Sequence, residues 1–300
     1  MKNPVVSTNC PDPCVTRMPD GSYVMVCTTN YNEEPDKLPL RRSTDLLTWS
    51  EPFGHVFPRG RTPGWAKEDF WAPEIHFIGD RLVCYFTARH TSGQLTLGVA
   101  TATAVEGPWQ DIGEPLLVDD AVGWIDAHLF RDPKDGTLWL YYKGDFNALT
   151  PKQPTPIVVR RLTADGLAFA GGPTTLLVND LPWEGAVVEG PWVVVREGRY
   201  FLFYAAHAYD TADYCTGVAR SDAATGPFEK RAQPMTSHDG WSGPGHGCVV
   251  VGPDGRDWFI YHAWEGDKIV LHGSSERWPR VALAAHIRWV AGWPQFDTWA

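Results

Sequence analysis

The sequence contains no run of basic residues, no Cys-x-x-Cys pair and no helical periodicity of any length. No apolar stretch approaches the ~20 residues that span a bilayer. Each absence narrows what the chain can be. With 26 Lys and Arg against 36 Asp and Glu, the formal charge is −10, and phosphate binding draws on clustered cations, so nucleic acid and anionic membrane are excluded as partners. The opening Met1-Lys2-Asn3-Pro4-Val5-Val6-Ser7 lacks the apolar core of a secretory signal. As written the chain reads as cytoplasmic, or as secreted if a leader has been removed. Its six cysteines are scattered, and Cys14, Cys27, Cys84 and Cys248 fall inside apolar runs, where a buried free thiol is the expected state.

What the chain does contain is aromatic residues, 13% of the total with 15 Trp, and a repeated unit. A short motif bearing a polar residue opens each unit, followed by an apolar run, a Gly/Asp turn and an aromatic-rich return. Val187-Val188-Glu189-Gly190-Pro191-Trp192 opens one copy, which runs through Val193-Val194-Val195, turns at Arg196-Glu197-Gly198 and returns as Tyr200-Phe201-Leu202-Phe203-Tyr204. Other copies open at Asp12-Pro13-Cys14-Val15, at Trp71-Ala72-Pro73-Glu74-Ile75-His76, at Ile125-Asp126-Ala127-His128 and at Gly243-Pro244-Gly245-His246. Steps between Asp12, Glu74, Asp126, Glu189 and His246 are 62, 52, 63 and 57 residues, the signature of a repeat architecture.

Second hairpins follow in several units: Leu97 to Thr101 precedes Gly107-Pro108-Trp109, and Thr216 to Ser221 precedes Gly226-Pro227-Phe228. About four strands per unit is the blade of a propeller. The expected fold is all-β, a five-bladed β-propeller of about four antiparallel strands per blade, with residues 1–300 forming a single domain. Because the first strand of every blade lines a central channel, the five opening motifs converge at one end of it. The same reasoning puts Asp12, Glu74, Asp126, Glu189 and His246 in phase, which holds only if the strand registers match, since a slip of one residue turns a side chain to the opposite face.

Glu189, wedged between Val187-Val188 and Gly190-Pro191, is the first candidate for chemistry. Burial disfavours a charged carboxylate and keeps a proton on it near neutral pH, as a general acid requires. Taken singly, Asp12 before Pro13 also suits a turn, and Asp126 a loop cap. Trp71 is a candidate sugar platform or an ordinary core aromatic.

Together these motifs, with the closing Ile287-Arg288-Trp289-Val290-x-Gly292-Trp293-Pro294, resemble glycoside hydrolase family 43, whose members are five-bladed propellers that hydrolyse arabinose- and xylose-containing substrates with inversion. The resemblance runs from Asp12-Pro13 to Pro294. It implies Asp12 as general base, Glu189 as general acid, and Asp126 as the residue that tunes and holds the acid. Arg280, nine residues before Trp289, matches an arginine that donates to sugar hydroxyls. His246 matches an axial histidine beneath the site which in several members ligates calcium or holds its waters. No cofactor is required by this chemistry, and any calcium or other ion in the channel is expected to be largely water-coordinated, because calcium prefers oxygen ligands. Glu74 is expected to be a structural partner in the channel.

The implied activity is release of a terminal pentose by single displacement. An α-L-arabinofuranosidase, with exo action on 1,5-linked arabinan, comes first and a β-xylosidase second. A sugar-binding propeller without catalysis is the alternative of another class. A retaining fructan-acting propeller is disfavoured because Cys10-Pro11-Asp12-Pro13-Cys14 stands where its Asn-Asp-Pro-Asn would be.

Overall fold

The computed structural model describes residues 3–29, 31–119 and 121–297. They form five four-stranded antiparallel sheets arranged as a five-bladed β-propeller. Blade 1 consists of β1 (Cys14–Arg17), β2 (Tyr23–Val26), β3 (Lys37–Ser43) and β4 (Gly54–Phe57). Blade 2 holds β5 (Ala66–Ile78), β6 (Arg81–His90), β7 (Leu95–Ala102) and β8 (Gln110–Asp111); blade 3 holds β9 (Trp124–Arg131), β10 (Leu138–Gly144), β11 (Pro156–Arg161) and β12 (Thr174–Val178). Blade 4 is built from β13 (Val188–Arg196), β14 (Arg199–Ala206), β15 (Cys215–Ser221) and β16 (Glu229–Lys230), and blade 5 from β17 (Trp241–Val251), β18 (Asp257–Glu265), β19 (Val281–Val290) and β20 (Trp293–Asp297). Within each sheet, consecutive strands are neighbours.

The local chemistry explains the hairpins. β13 and β14 are joined by Glu197 and Gly198, with φ of 51° and 78°. Two consecutive positive φ values match the twist of the flanking strands, and glycine reaches this region without a Cβ penalty. Ala291 and Gly292 make the same kind of turn between β19 and β20, with φ of 51° and 75°. Aromatic returns fill the spaces between blades. Phe86 on β6 packs its ring 5.0 Å from Phe57 of blade 1, and Phe203 on β14 lies 5.7 Å from Phe259 of blade 5. Tyrosines of the second strands reach across with their hydroxyls: Tyr85 donates to the Gly166 carbonyl at 2.7 Å, and Tyr141 to that of Ala224 at 2.7 Å. All six cysteines are free and buried, as expected for those four and true also of Cys10 and Cys215.

The inner strands carry a feature that the repeat grammar did not register. In β5, β9, β13 and β17 the ladder to the second strand slips so that two residues face one, a β-bulge, at Ala72-Pro73, Asp126-Ala127, Gly190-Pro191 and His246-Gly247. The first bulge residue is left-handed each time, with φ of 40°, 59°, 55° and 44°, and Asp12 before β1 has φ of 52°. The five equivalent positions are therefore Asp12, Ala72, Asp126, Gly190 and His246. This corrects the expected phase: Glu189 sits one residue before its bulge and Glu74 two residues after.

Candidate active site

The bulges aim the site, and polar residues near the mouth-side ends of the second strands hold the bulges. The Ala72 amide donates to Thr28 Oγ1 at 2.7 Å, the Asp126 amide to Thr87 Oγ1 at 3.1 Å, and the Asp12 amide to His262 Nδ1 at 3.1 Å, each partner belonging to the preceding blade around the ring. Thr28 then donates its own proton to Asp12 Oδ2 at 2.6 Å.

Asp12 is nearly buried. Its Oδ1 lies 3.3 Å from Arg280, 3.2 Å from His262 Nδ1 and 3.4 Å from His246 Nδ1. Burial alone would raise its carboxyl, but the Arg280 guanidinium and His246 outweigh that and hold it well below the usual carboxylate range. Asp126 is different. It accepts the Gly190 amide at 3.0 Å, and its closest cation, His246, stands 4.0 Å away. Burial dominates and, with the like charges of Glu189 and Asp12 opposed by His246 and Lys143, lifts its carboxyl to about 6. His246 is pushed down by burial, yet Asp12, Asp126, Glu189 and Glu74 raise it above the ordinary histidine value.

Glu189 is held from two sides. Tyr214 donates its hydroxyl to Oε1 at 2.8 Å, and Lys143 donates to Oε2 at 3.3 Å. Lys143 also meets Asp145 Oδ1 at 3.0 Å. Its ammonium is buried, which lowers its proton affinity, but Glu189, Asp145 and Asp126 raise it to a net value above that of a free lysine. So Asp12, Asp126 and Glu189 come to one mouth, with Arg280, His246 and Lys143 standing among them.

Arg280 is buried against Asp12, its guanidinium 4.7 Å from the Tyr209 ring. Trp71 is half-buried directly ahead of the Ala72 bulge, opposite Thr87 in the ladder. The depth of a propeller's mouth comes from loops such as, here, Asn30 to Pro39 and His207 to Tyr214; Asn30 lies outside the described residues. The structure adds a third, the segment 266–280 between β18 and β19. The His272 amide donates to Asp210 Oδ2 at 2.9 Å, and Arg277 reaches Glu33 at 3.6 Å and the Tyr31 ring at 4.6 Å. A hollow of about 360 Å³ opens elsewhere, between blades 4 and 5, lined by Thr216, Arg231, Gln233, Met235, His238 and Phe296 among others. It contains none of the clustered carboxylates.

His246 offers the channel a ring nitrogen, which lies 3.4 Å from Asp12 and 4.0 Å from Asp126, and calcium prefers oxygen, so His246 would hold such an ion only through water. Deeper in the channel, Glu74, His76 and His128 bring ligand-type atoms within 4.8 Å of one another. His128 Nε2 accepts the Val193 amide at 2.9 Å, so the neutral ring, its proton affinity cut by burial to about 3, carries its proton on Nδ1. That proton faces Glu74 Oε2 at 2.9 Å, and His76 Nε2 lies 2.8 Å from the same oxygen. A lone pair for a metal would require the other tautomer, which would set N–H against N–H at Val193. Glu74 is thus a hydrogen-bonded structural partner, in line with the expectation.

Sequence reasoning missed Thr28, Thr87, Lys143, His262 and Tyr214. For the first four a signal existed: each interrupts or ends the apolar run of a second strand, as in Tyr141-Tyr142-Lys143 and Phe259-Ile260-Tyr261-His262. A lone polar group in such a run must find a buried partner.

Known proteins share this sequence pattern and fold. An extracellular exo-α-(1→5)-L-arabinofuranosidase of Streptomyces chartreusis is 29% identical over 289 residues, covering 90% of this chain and 84% of that enzyme. A xylosidase/arabinosidase of Humicola insolens is 26% identical across 87% of this chain, which spans about half, 48%, of its length. The crystal structure of a thermostable family-43 glycoside hydrolase superposes with a TM-score of 0.87 at 29% identity, covering 99% of this chain and 95% of that one. The family description "Glycosyl hydrolases family 43" matches residues 1–294, and the chain belongs to that family of glycoside hydrolases.

Proposed function

We propose that residues 1–300 act as one catalytic domain that hydrolyses, with inversion, the bond to a non-reducing terminal L-arabinofuranose, by exo action on 1,5-linked arabino-oligosaccharides. The observation that carries this reading is the gathering of Asp12, Asp126 and Glu189 at one mouth, two of them ion-paired, Asp12 with Arg280 at 3.3 Å and Glu189 with Lys143 at 3.3 Å. Burying charge is costly unless it is paired, and a site that only bound neutral sugar would have no need of it.

In this reading Asp12, kept ionised by Arg280 and His246, takes a proton from a water. The water oxygen bonds to the anomeric carbon from the face opposite the leaving group. As the glycosidic C–O bond breaks, its oxygen takes the proton of Glu189. One water is consumed, and solvent restores both protonation states. An inverting pair needs the two carboxyls about 6.5–9.5 Å apart to admit that water. Asp126 holds the Gly190 amide, and through it the strand that presents Glu189. Trp71 is the proposed sugar platform, and Arg280 and His246 complete the sugar-binding wall. No step calls for a cofactor. Exo action is supported by segment 266–280, which ties the loops of blades 4 and 1 together beside Asp12.

A β-xylosidase activity is the second reading, supported by the double name of the Humicola relative. Turnover of aryl α-L-arabinofuranoside against aryl β-D-xyloside separates the two, and proton NMR of the first-formed anomer tests inversion. Asp12→Ala and Glu189→Ala are expected to lose about 10²-fold or more on natural oligosaccharides. Full activity in either variant, or a retained anomer, would remove this mechanism. As for location, the Streptomyces chartreusis relative is named extracellular, and among the described residues no helix is long and apolar enough to cross a membrane. We propose a soluble enzyme acting on arabinose-containing saccharides, without nucleic acid or membrane partners.

A further inference from the structure

We propose that Lys143 is a positioning residue for Glu189, its ammonium fixing one oxygen of that acid and stabilising the carboxylate left once the proton has gone. The proposal rests on the reading of Glu189 as the general acid. It starts from burial: the Lys143 side chain is 1% exposed, at the mouth end of β10. Asp145 at 3.0 Å already supplies one counter-charge, so the further reach to Glu189 at 3.3 Å serves the acid.

Groups around Glu189 come from every neighbouring element. Lys143 stands on β10 and Tyr214 between β14 and β15, while the charges of Asp126 on β9 and His246 on β17 and the nearby Tyr209 act on the same mouth. Lys143 itself faces Glu189, Asp145 and Asp126. The consequences are geometric and electrostatic. Tyr214 and Lys143 grip opposite oxygens, which fixes the carboxyl plane against the leaving group. The ammonium also stabilises the carboxylate that remains once the proton has gone, and offsets the negative charge of Asp126.

The test uses Lys143→Met and Lys143→Arg in the full chain, with kcat/KM against pH on 1,5-arabinobiose and on 2,4-dinitrophenyl α-L-arabinofuranoside, whose leaving group needs no acid. Lys143→Met is expected to move the alkaline limb up by about one pH unit or more, because an opposite charge within hydrogen-bond reach is lost. It should slow arabinobiose by about tenfold or more while the dinitrophenyl substrate stays within about threefold. Lys143→Arg should keep the limb near its original place. An unmoved limb in Lys143→Met, or equal losses on both substrates, overturns the proposal. If Lys143→Met does not fold by circular dichroism, Asp145→Asn is read instead: with the competing carboxylate gone the limb should move down, and an unmoved limb overturns the proposal equally. Glu189→Ala separates the two levels. If that variant still turns over arabinobiose, the acid assignment itself fails; if it loses arabinobiose but keeps the dinitrophenyl substrate while Lys143→Met leaves the limb in place, only the role of Lys143 fails.

Discussion

Asp12 and Asp126 occupy equivalent positions in their blades and share one histidine neighbour, yet their carboxyls are driven apart. Arg280 touches Asp12 and holds it ionised, while Asp126 has no cation closer than His246 among the described residues, at 4.0 Å, so burial lifts it to about 6. Environments that separate like groups assign them different work. The separation also predicts a stability effect. A carboxyl with a folded value near 6 and an unfolded value near 3.8 binds more protons folded than unfolded between those pH values, so its contribution falls as pH rises through that window. Asp126→Asn, which keeps an oxygen for the Gly190 amide, is therefore expected to be more stable than the parent well above pH 6, on the order of 3 kcal/mol, with the advantage vanishing near pH 4. Thermal unfolding of both proteins at pH 4, 6 and 8 checks this. A constant difference across the series would mean that Asp126 is not the group lifted by burial.

At the level of the strand, the bulge turns a repeat into a site. Hairpins, their turns and the polar opening motifs were legible because strand and turn chemistry are local: Gly198, Asp80 and Gly255 stand where the chain reverses. The bulges were not, because an extra residue in one strand shows only against its partner, and hydrophobic alternation reads the same on either side of the slip. Asp12 and Asp126 happened to fall on the bulge itself, so they were found in phase; Glu189 was found by its apolar surroundings and Glu74 by a phase that the structure corrects. Lys143 stood out in its apolar run but its partner did not, because that contact is with another blade; Tyr214, in the β14–β15 loop, meets Glu189 of its own blade only once the chain has folded. Gly190 measures how much the bulge matters. At φ of 55°, an added Cβ would meet His246 Cγ at 2.8 Å, whereas at the Gly198 turn, with φ of 78°, it would meet nothing within 4 Å. Both Gly→Ala changes share backbone strain of about 1 kcal/mol or more. Only Gly190→Ala should also displace His246, and it is expected to lose about tenfold or more in kcat/KM and more stability than Gly198→Ala. Equal activity in the two variants would detach the bulge from catalysis.

For the whole molecule, a ring of blades must close, and here the closure is made by segments at opposite ends of the chain. Val5 and Val6 donate to the Ala282 carbonyl at 2.9 and 3.3 Å, the Ala282 amide returns to Val6 at 3.0 Å, and Asn3 brackets Ala284 with bonds of 3.1 and 3.0 Å. The same first residues lead straight into Asp12, and the Cys10 amide donates to the Arg280 carbonyl at 2.8 Å. Closure thus holds the base and its arginine in one register, coupling the stability of the ring to the geometry of the mouth. Deleting residues 1–8 removes the bonds to Ala282 and Ala284, takes the buried Val5 and Val6 out of the core, and takes Thr8 from Arg41. Two buried valines alone are worth about 3 kcal/mol or more. At about 2–4 °C per kcal/mol for a domain of this size, the melting temperature should fall by roughly 6–12 °C. The truncated protein should also lose kcat/KM at temperatures well below its melting point, because only Asn9 and Cys10 then hold the backbone ahead of Asp12 to that of Arg280. A deletion that melted lower yet kept full activity at low temperature would show that closure supports the ring without tuning the site.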